Sequence, residues 1–262
     1  SAGASSVETC QDCVSGKYSP ALGADSAAAC ISCGAGKYST SLSSQSESVC
    51  VSCVAGTYSS STGASTAETC VPCIAGTFST TAGAVSITSC ILCSKGKYGD
   101  ASGASREDMC QDCEAGKYLA TEGNDAATDC TLCGEGKYSV TSGGTEAAAC
   151  IDCLAGKYAA QQGSNEESDC IECGVSKYST APAATAEATC ESCPAGKTSP
   201  AGSDDEADCL NLCPAGYTGL PGSCSPCDAG TYKSDTGSGA CLSCPSNAES
   251  PSGQASCQCR AG

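Results

Sequence analysis

The sequence predicts an elongated, solenoid-like rod of small disulfide-rich modules of about 20 residues, built from short strands and turns with almost no helix. Three observations predict it. Cys accounts for 28 of the 262 residues. Those cysteines recur as Cys-x-x-Cys pairs at a fixed interval of 20 over most of the chain. Finally, Leu, Ile, Val and Phe together number only 26, too few to offset the entropy of ordering the backbone by burial. With a net charge of -17, such a chain would by itself be classed as disordered. Cys at more than about a tenth of all residues reverses that reading, because cross-links then replace much of a core.

An internal repeat dominates the sequence. The first cysteine of each pair falls at 10, 30, 50 and so on to 190, and the second at 13, 33, 53 and so on to 193. Three residues after each second cysteine stands a Gly, as at Gly16, Gly36 and Gly56, with Ser176 the exception. An aromatic follows two places later, Tyr18 through Tyr178 with Phe78 among them, then Thr198. A second Gly marks the middle of most modules, as at Gly63, Gly83 and Gly103. The phrase A-G-K-Y-S suits a turn leading into a short strand, with Gly at the φ > 0 position. The Gly/Ser/Ala/Thr-rich middle reads as loop, and no segment carries a helical period. Organisation follows: residues 1–9 are a lead-in from a preceding repeat, 10–189 are nine regular repeats, and 190–262 are shorter, irregular repeats of the same type.

Three chemistries could use paired cysteines. A four-thiolate zinc site tolerates this spacing, but it would consume two modules and impose a period of 40, and the chain has no His. Redox catalysis needs a depressed thiol pKa on a packed α/β scaffold, which this composition does not supply. Disulfides remain. Bridges within each pair would close strained rings, leave the long loops untied, and fail at Cys257 and Cys259. Joining each second cysteine to the next first one gives Cys13–Cys30, Cys33–Cys50, Cys53–Cys70, Cys73–Cys90, Cys93–Cys110, Cys113–Cys130, Cys133–Cys150, Cys153–Cys170 and Cys173–Cys190. It continues as Cys193–Cys209, Cys213–Cys224, Cys227–Cys241 and Cys244–Cys257. Each long bridge is worth roughly 3 kcal/mol in the chain-entropy account. Cys10 and Cys259 are left over, as in a window on a longer array or as links between neighbouring chains.

The stretch Cys53-Val54-Ala55-Gly56-Thr57-Tyr58-Ser59, continued by Gly63 and the pair Cys70/Cys73, resembles the ephrin-receptor-like cysteine-rich repeat. Its first half is also similar to the one-disulfide submodule of tumour-necrosis-factor-receptor repeats, which bridges its first two cysteines around a C-x-x-G-x-Y turn. The resemblance implies the same Cys13–Cys30 type of pairing and an extracellular location. Ser43, Ser176, Ala183 and Thr198 depart from the pattern.

Function is read from what the chain lacks and repeats. No His is present, which removes the commonest general base, and apolar material to raise a carboxyl pKa is scarce. The expectation is no enzyme, with no catalytic, cofactor or metal residues. The acidic runs Glu107-Asp108, Glu166-Glu167 and Asp204-Asp205-Glu206 offer at most weak calcium binding. Acidity argues against nucleic acid, and no stretch is long and apolar enough to insert in a membrane. Each Tyr is expected to pack on its own module's disulfide, and each preceding Lys to reach an acid of the neighbouring repeat. Uniform modules favour an extracellular structural protein, a rod building a fibre, stalk or surface coat. It would self-associate or join neighbouring matrix or coat proteins, with Ser/Thr loops open to O-linked glycans. The rival is the ectodomain stalk of a receptor or adhesion protein whose ligand site lies elsewhere.

Overall fold

A computed structural model describes residues 12–21 and 27–259. The expected lead-in at 1–9 and Cys10 lie outside the described residues. The chain forms two compact units, one of residues 1–131 with 141–149, the other of 132–140 with 150–262. Both are built from the same small disulfide-rich repeat, and among the described residues there is no α-helix.

In the first unit, residues 33–53 show how a module is made. Cys33 leads into a turn closed by Gly36, whose φ of 76° lies in the left-handed region that favours glycine. Lys37–Tyr38 then pairs antiparallel with Val51–Ser52, Lys37 opposite Ser52 and Tyr38 opposite Val51. Between them runs a loop and one 3-10 turn, Glu47–Val49, capped by Ser46, which accepts from the Ser48 amide. Val51 and Ser52 are the two residues inside the Cys50-x-x-Cys53 pair. The spacing of the pair therefore sets the strand length. Cys50 bonds back to Cys33, with a Cα separation of 5.6 Å, and Cys53 opens the next module.

Backbone hydrogen bonds carry this module into its neighbours. Cys53 N donates to Gly36 O at 2.8 Å, Gly36 N to Ser59 O at 2.8 Å, and Ser39 N to Ala64 O at 3.0 Å. Tyr38 and Ala64 form a parallel bridge. The loop amide of Gly63 returns to Cys33 O at 2.7 Å. Nearly every strand end thus spends its polar groups on the next repeat, which is how two-residue strands persist where an isolated hairpin would be marginal.

Contact reaches one repeat further. A Cβ placed on Gly36 would lie 2.1 Å from Gly83 O, two modules along. The glycine is therefore required twice, by its φ and by the backbone seated against it. We call the turn and the following Ser39 segment a seat, and the Gly83 loop its occupant.

The core is sulfur. Cys33 is 1 % exposed and Cys113 fully buried. Where a ring joins a buried cluster it packs on the disulfide of the following module rather than its own, which corrects the expectation. Phe78 clusters with Cys93, Cys110 and Ala104, and Tyr98 lies against Cys113, Leu119 and Cys130. The physical reason is the hairpin register, which turns the aromatic toward the next repeat along with its bridge to residue 104 or 124.

The second unit repeats the plan. Lys137–Tyr138 pairs with Ile151–Asp152, and Tyr138 packs on Cys153, Ala159 and Cys170. After Cys173–Cys190 the disulfide separations shrink from 17 to 16, 11, 14 and 13. The module closed by Cys213–Cys224 has room only for a tight hairpin, Tyr217–Leu220 against Ser223–Pro226.

Candidate functional site

The cysteines of the described residues form thirteen bridges, running from Cys13–Cys30 through Cys173–Cys190 at separation 17, then Cys193–Cys209, Cys213–Cys224, Cys227–Cys241 and Cys244–Cys257. Cys259 is free and exposed. It stands opposite Ala248 in the last hairpin, the register that Ser52 takes opposite Lys37.

The acidic runs are occupied locally. Asp108 pairs with Arg106 at 3.3 Å. Asp169 accepts from the Asn165 and Glu166 amides, while Glu166 accepts from the Ser168 hydroxyl. Asp205 caps its 3-10 turn through the Ala207 amide. Among the described residues no three His, Cys, Asp or Glu side chains gather to hold a metal ion.

The lysines divide by partner. Lys97, Lys137 and Lys157 meet Asp112, Asp152 and Glu172 across their own hairpins. Lys37 and Lys177 instead reach Glu47 and Glu187 on the 3-10 turns of their own modules. These partners lie within the lysine's own module or its closing strand, not on the neighbouring repeat as expected. Exposed pairs of this kind contribute little each. The Lys177 hydrogen bond holds the Glu187 carboxyl below its ordinary value. Desolvation, reinforced by the bond to Glu191, raises the Tyr178 phenol.

One place departs from the repeat in a way that makes a cavity. Along the array a loop amide returns to each opening cysteine, as Gly163 N to Cys133 O and Gly202 N to Cys173 O, both within 2.9 Å. Among the described residues no loop amide returns to Cys193 in this way. The loop that should fill the seat at residue 176 belongs to the Cys213–Cys224 module, and with a separation of 11 that module is too short to send one. The seat stays open as a groove of about 480 Å³ lined by Val175, Thr198, Pro200, Leu210, Leu220 and Pro221.

Two sequence departures meet at the edge of this groove, Thr198 in its lining and Ser176 next to Val175. Ser176 replaces the turn glycine at φ 65°, and Thr198 replaces the aromatic. Their hydroxyls share a hydrogen bond of 2.8 Å. Thr198 stands opposite Leu210, where Tyr18, Tyr38, Tyr58 and Phe78 stand opposite Ile or Val in their hairpins, so the missing ring adds to the open volume. The sequence marked both residues as departures. It gave no sign that they face one another, because the seat is assembled from a turn and strands of consecutive modules.

The turn at Gly196 is likewise open, and so is that at Gly230: a Cβ on either would meet nothing within 4 Å. Ala229, Gly230, Glu249, Ser250 and Pro251 line a groove of about 460 Å³ there.

The family model described as tyrosine-protein kinase ephrin type A/B receptor-like matches residues 56–110 and 216–259. One match falls in the regular repeats and the other in the shortened ones, so both carry the same module type. No curated protein matches the chain. The family is a receptor-type cysteine-rich repeat, not catalytic by itself. Among the described residues no helix is long and apolar enough to cross a membrane.

Proposed function

We propose, for a chain built of ephrin-receptor-like cysteine-rich repeats, that it is an extracellular structural protein whose modules stack into a rod serving a fibre, stalk or surface coat. The observation that carries this reading is a repeated aliphatic surface. Ile31, Val51, Val71 and Ile91, one per module, are each about half exposed and each stands opposite an aromatic in its hairpin. The same surface recurs at Ile151 and Ile171, with polar residues in its place at Gln111, Thr131 and Glu191, and a recurring apolar surface suits lateral or end-to-end assembly, whereas a single binding site needs one module to differ in shape. The net charge of -17 keeps separate copies apart until apolar contact overcomes it.

Self-association, or association with neighbouring matrix or coat proteins, is the partnership this reading requires. The free Cys259, together with Cys10, would supply covalent links between chains or to further repeats. The exposed Ser and Thr of the loops, such as Ser60, Ser61 and Thr62, are acceptors for O-linked glycans.

Negative-stain microscopy of the native material is the test. Long regular fibres are the expected outcome. Isolated rods on a membrane-anchored protein would favour the second reading, a receptor or adhesion stalk with its ligand site elsewhere. That reading draws its support from the receptor-type repeat family. A transmembrane helix in the full-length sequence would decide for it.

A further inference from the structure

In the second unit, successive modules are joined by a recurring set of backbone bonds, and one boundary lacks the set. Between the Cys173–Cys190 and Cys193–Cys209 modules, Ser176 N donates to Ser199 O at 2.9 Å, Ser179 N to Ser203 O at 3.1 Å and Gly202 N to Cys173 O at 2.9 Å. Tyr178 also bridges Ser203. The preceding boundary is closed in the same way, by Gly156 N to Ser179 O, Ala159 N to Ala184 O and Ala183 N to Cys153 O, with Tyr158 bridging Ala184. Past Cys213 the set returns in trimmed form, as Gly216 N to Lys233 O and Gly237 N to Cys213 O, both at 2.8 Å. Between the Cys193–Cys209 and Cys213–Cys224 modules none of it is present among the described residues. The amides of Gly196 and Ser199 and the carbonyl of Cys193 have no backbone partner in the next module, and Thr198 has no bridge there.

Three local changes remove the set. Cys209 and Cys213 are the one closely spaced cysteine pair with three residues between them. The extra residue, Leu212, donates to Gly196 O at 3.0 Å, where at a regular turn a cysteine does so, as Cys173 N to Gly156 O. Cys213 therefore opens its module one residue late. That module is also short, and its loop amide, Gly222 N, reaches only Asn211 O in the link, at 2.8 Å. The following loop gives its carbonyl, Gly237 O, to the Lys233 ammonium at 2.6 Å. A Cβ on Gly196 meets nothing within 4 Å, whereas Gly202 O lies 2.2 Å from a Cβ built on Gly156. The turns at Ser176 and Gly196 are thus two consecutive seats without an occupant.

Where backbone would otherwise stack, the boundary holds the groove of about 480 Å³, with Val175, Thr198 and Leu210 on one side and Leu220 and Pro221 on the other. Few hydrogen bonds and little apolar contact are what let a segment open at small cost, and a hinge needs only a short link to absorb the change in backbone angles. We propose that this boundary is a hinge, about which the modules from Cys213 onward swing with Leu212 as the pivot. The disulfides Cys193–Cys209 and Cys213–Cys224 keep the module on each side intact during the swing. The groove widens and narrows with it, because its lining is drawn from both sides. The hinge follows from the modules alone and holds for a fibre and for a stalk alike.

The test measures distances between pairs of spin labels in the oxidised full chain by double electron–electron resonance. The labels are carried on p-acetylphenylalanine, which leaves the disulfides untouched, and the labelled chain is diluted into excess unlabelled chain so that only distances within one copy are read. All positions are exposed, and each pair spans two steps along the modules. Asp204 with Ser234 crosses the boundary, Gln161 with Asp204 lies before it, and Ser223 with Ala255 lies after it. The crossing pair should give a distance distribution about twice as wide as either flanking pair, or two separate peaks. A crossing pair as narrow as the flanking pairs overturns the hinge. If the Ser223–Ala255 pair is equally broad, the shortened modules are loose throughout, and a hinge placed at Leu212 is overturned as well.

Discussion

Ser176 Oγ and Thr198 Oγ1 share a hydrogen bond of 2.8 Å across consecutive modules, each hydroxyl standing where the repeat otherwise has glycine or an aromatic ring. The pair exists because no loop presses on the turn. Ser176→Gly should therefore be nearly neutral, since relief at φ 65° offsets one lost hydrogen bond of about 1 kcal/mol. Gly136→Ser should behave very differently. Its Cβ would fall 2.2 Å from Ala183 O, and the overpacking plus left-handed strain costs about 2–4 kcal/mol. Thermal unfolding of the two oxidised variants checks the contrast. Equal losses would mean that the loop does not press on the turn as described.

Much of this fold was readable from spacing alone. The period of 20 marks the modules, and Gly36 and Tyr38 mark a turn and a strand. What spacing could not reveal is reach. Gly83 O against Gly36, and Tyr98 on Cys113–Cys130, depend on how far each hairpin is rotated onto the next. That rotation follows from backbone bonds such as Ser39 N to Ala64 O, which no side-chain pattern encodes. Ser176 and Thr198 were visible as exceptions, but the groove they share follows from the absence of a loop in a third module.

The ring-on-next-disulfide arrangement makes a local prediction. Replacing Cys113 and Cys130 together by Ser should cost about 3 kcal/mol from the chain-entropy effect and also strip Tyr98 of its platform. The near-UV circular dichroism of Tyr98 should fall, while Tyr118, in the module that lost its bridge, should change less. A loss confined to Tyr118 would return the ring to its own disulfide.

Lys233 occupies the place that Ser39 or Ser199 holds elsewhere, and it is 2 % exposed. Its ammonium donates to Gly237 O at 2.6 Å and to Cys213 O at 3.3 Å. Among shortened modules it fastens a loop that regular modules hold by close packing. Lys233→Met keeps the stem and removes the donors, leaving the half-buried Gly237 carbonyl without this partner and Cys213 O with the Gly237 amide alone, at a cost of about 1–3 kcal/mol. Amide exchange at Gly237, whose N–H donates to Cys213 O at 2.8 Å, should accelerate in that variant and not in Lys97→Met on the exposed surface.

Glu187 and Lys177 give a dependence on pH with a definite sign. The hydrogen bond from Lys177, at 2.8 Å, and the charge behind it lower the Glu187 pKa. A carboxyl depressed in the folded state stabilises above its ordinary pKa, and that contribution fades as pH falls through the lowered value. Because Glu187 is exposed, the effect on global unfolding should be slight. The local signal is the sharper one. In a carbon-13 NMR titration the Glu187 carboxyl should ionise below the ordinary glutamate value. Lys177→Met should move Glu187 upward toward it. A midpoint unchanged by Lys177→Met would leave the hydrogen bond without a role in holding the 3-10 turn of Glu187–Thr189 against its strand.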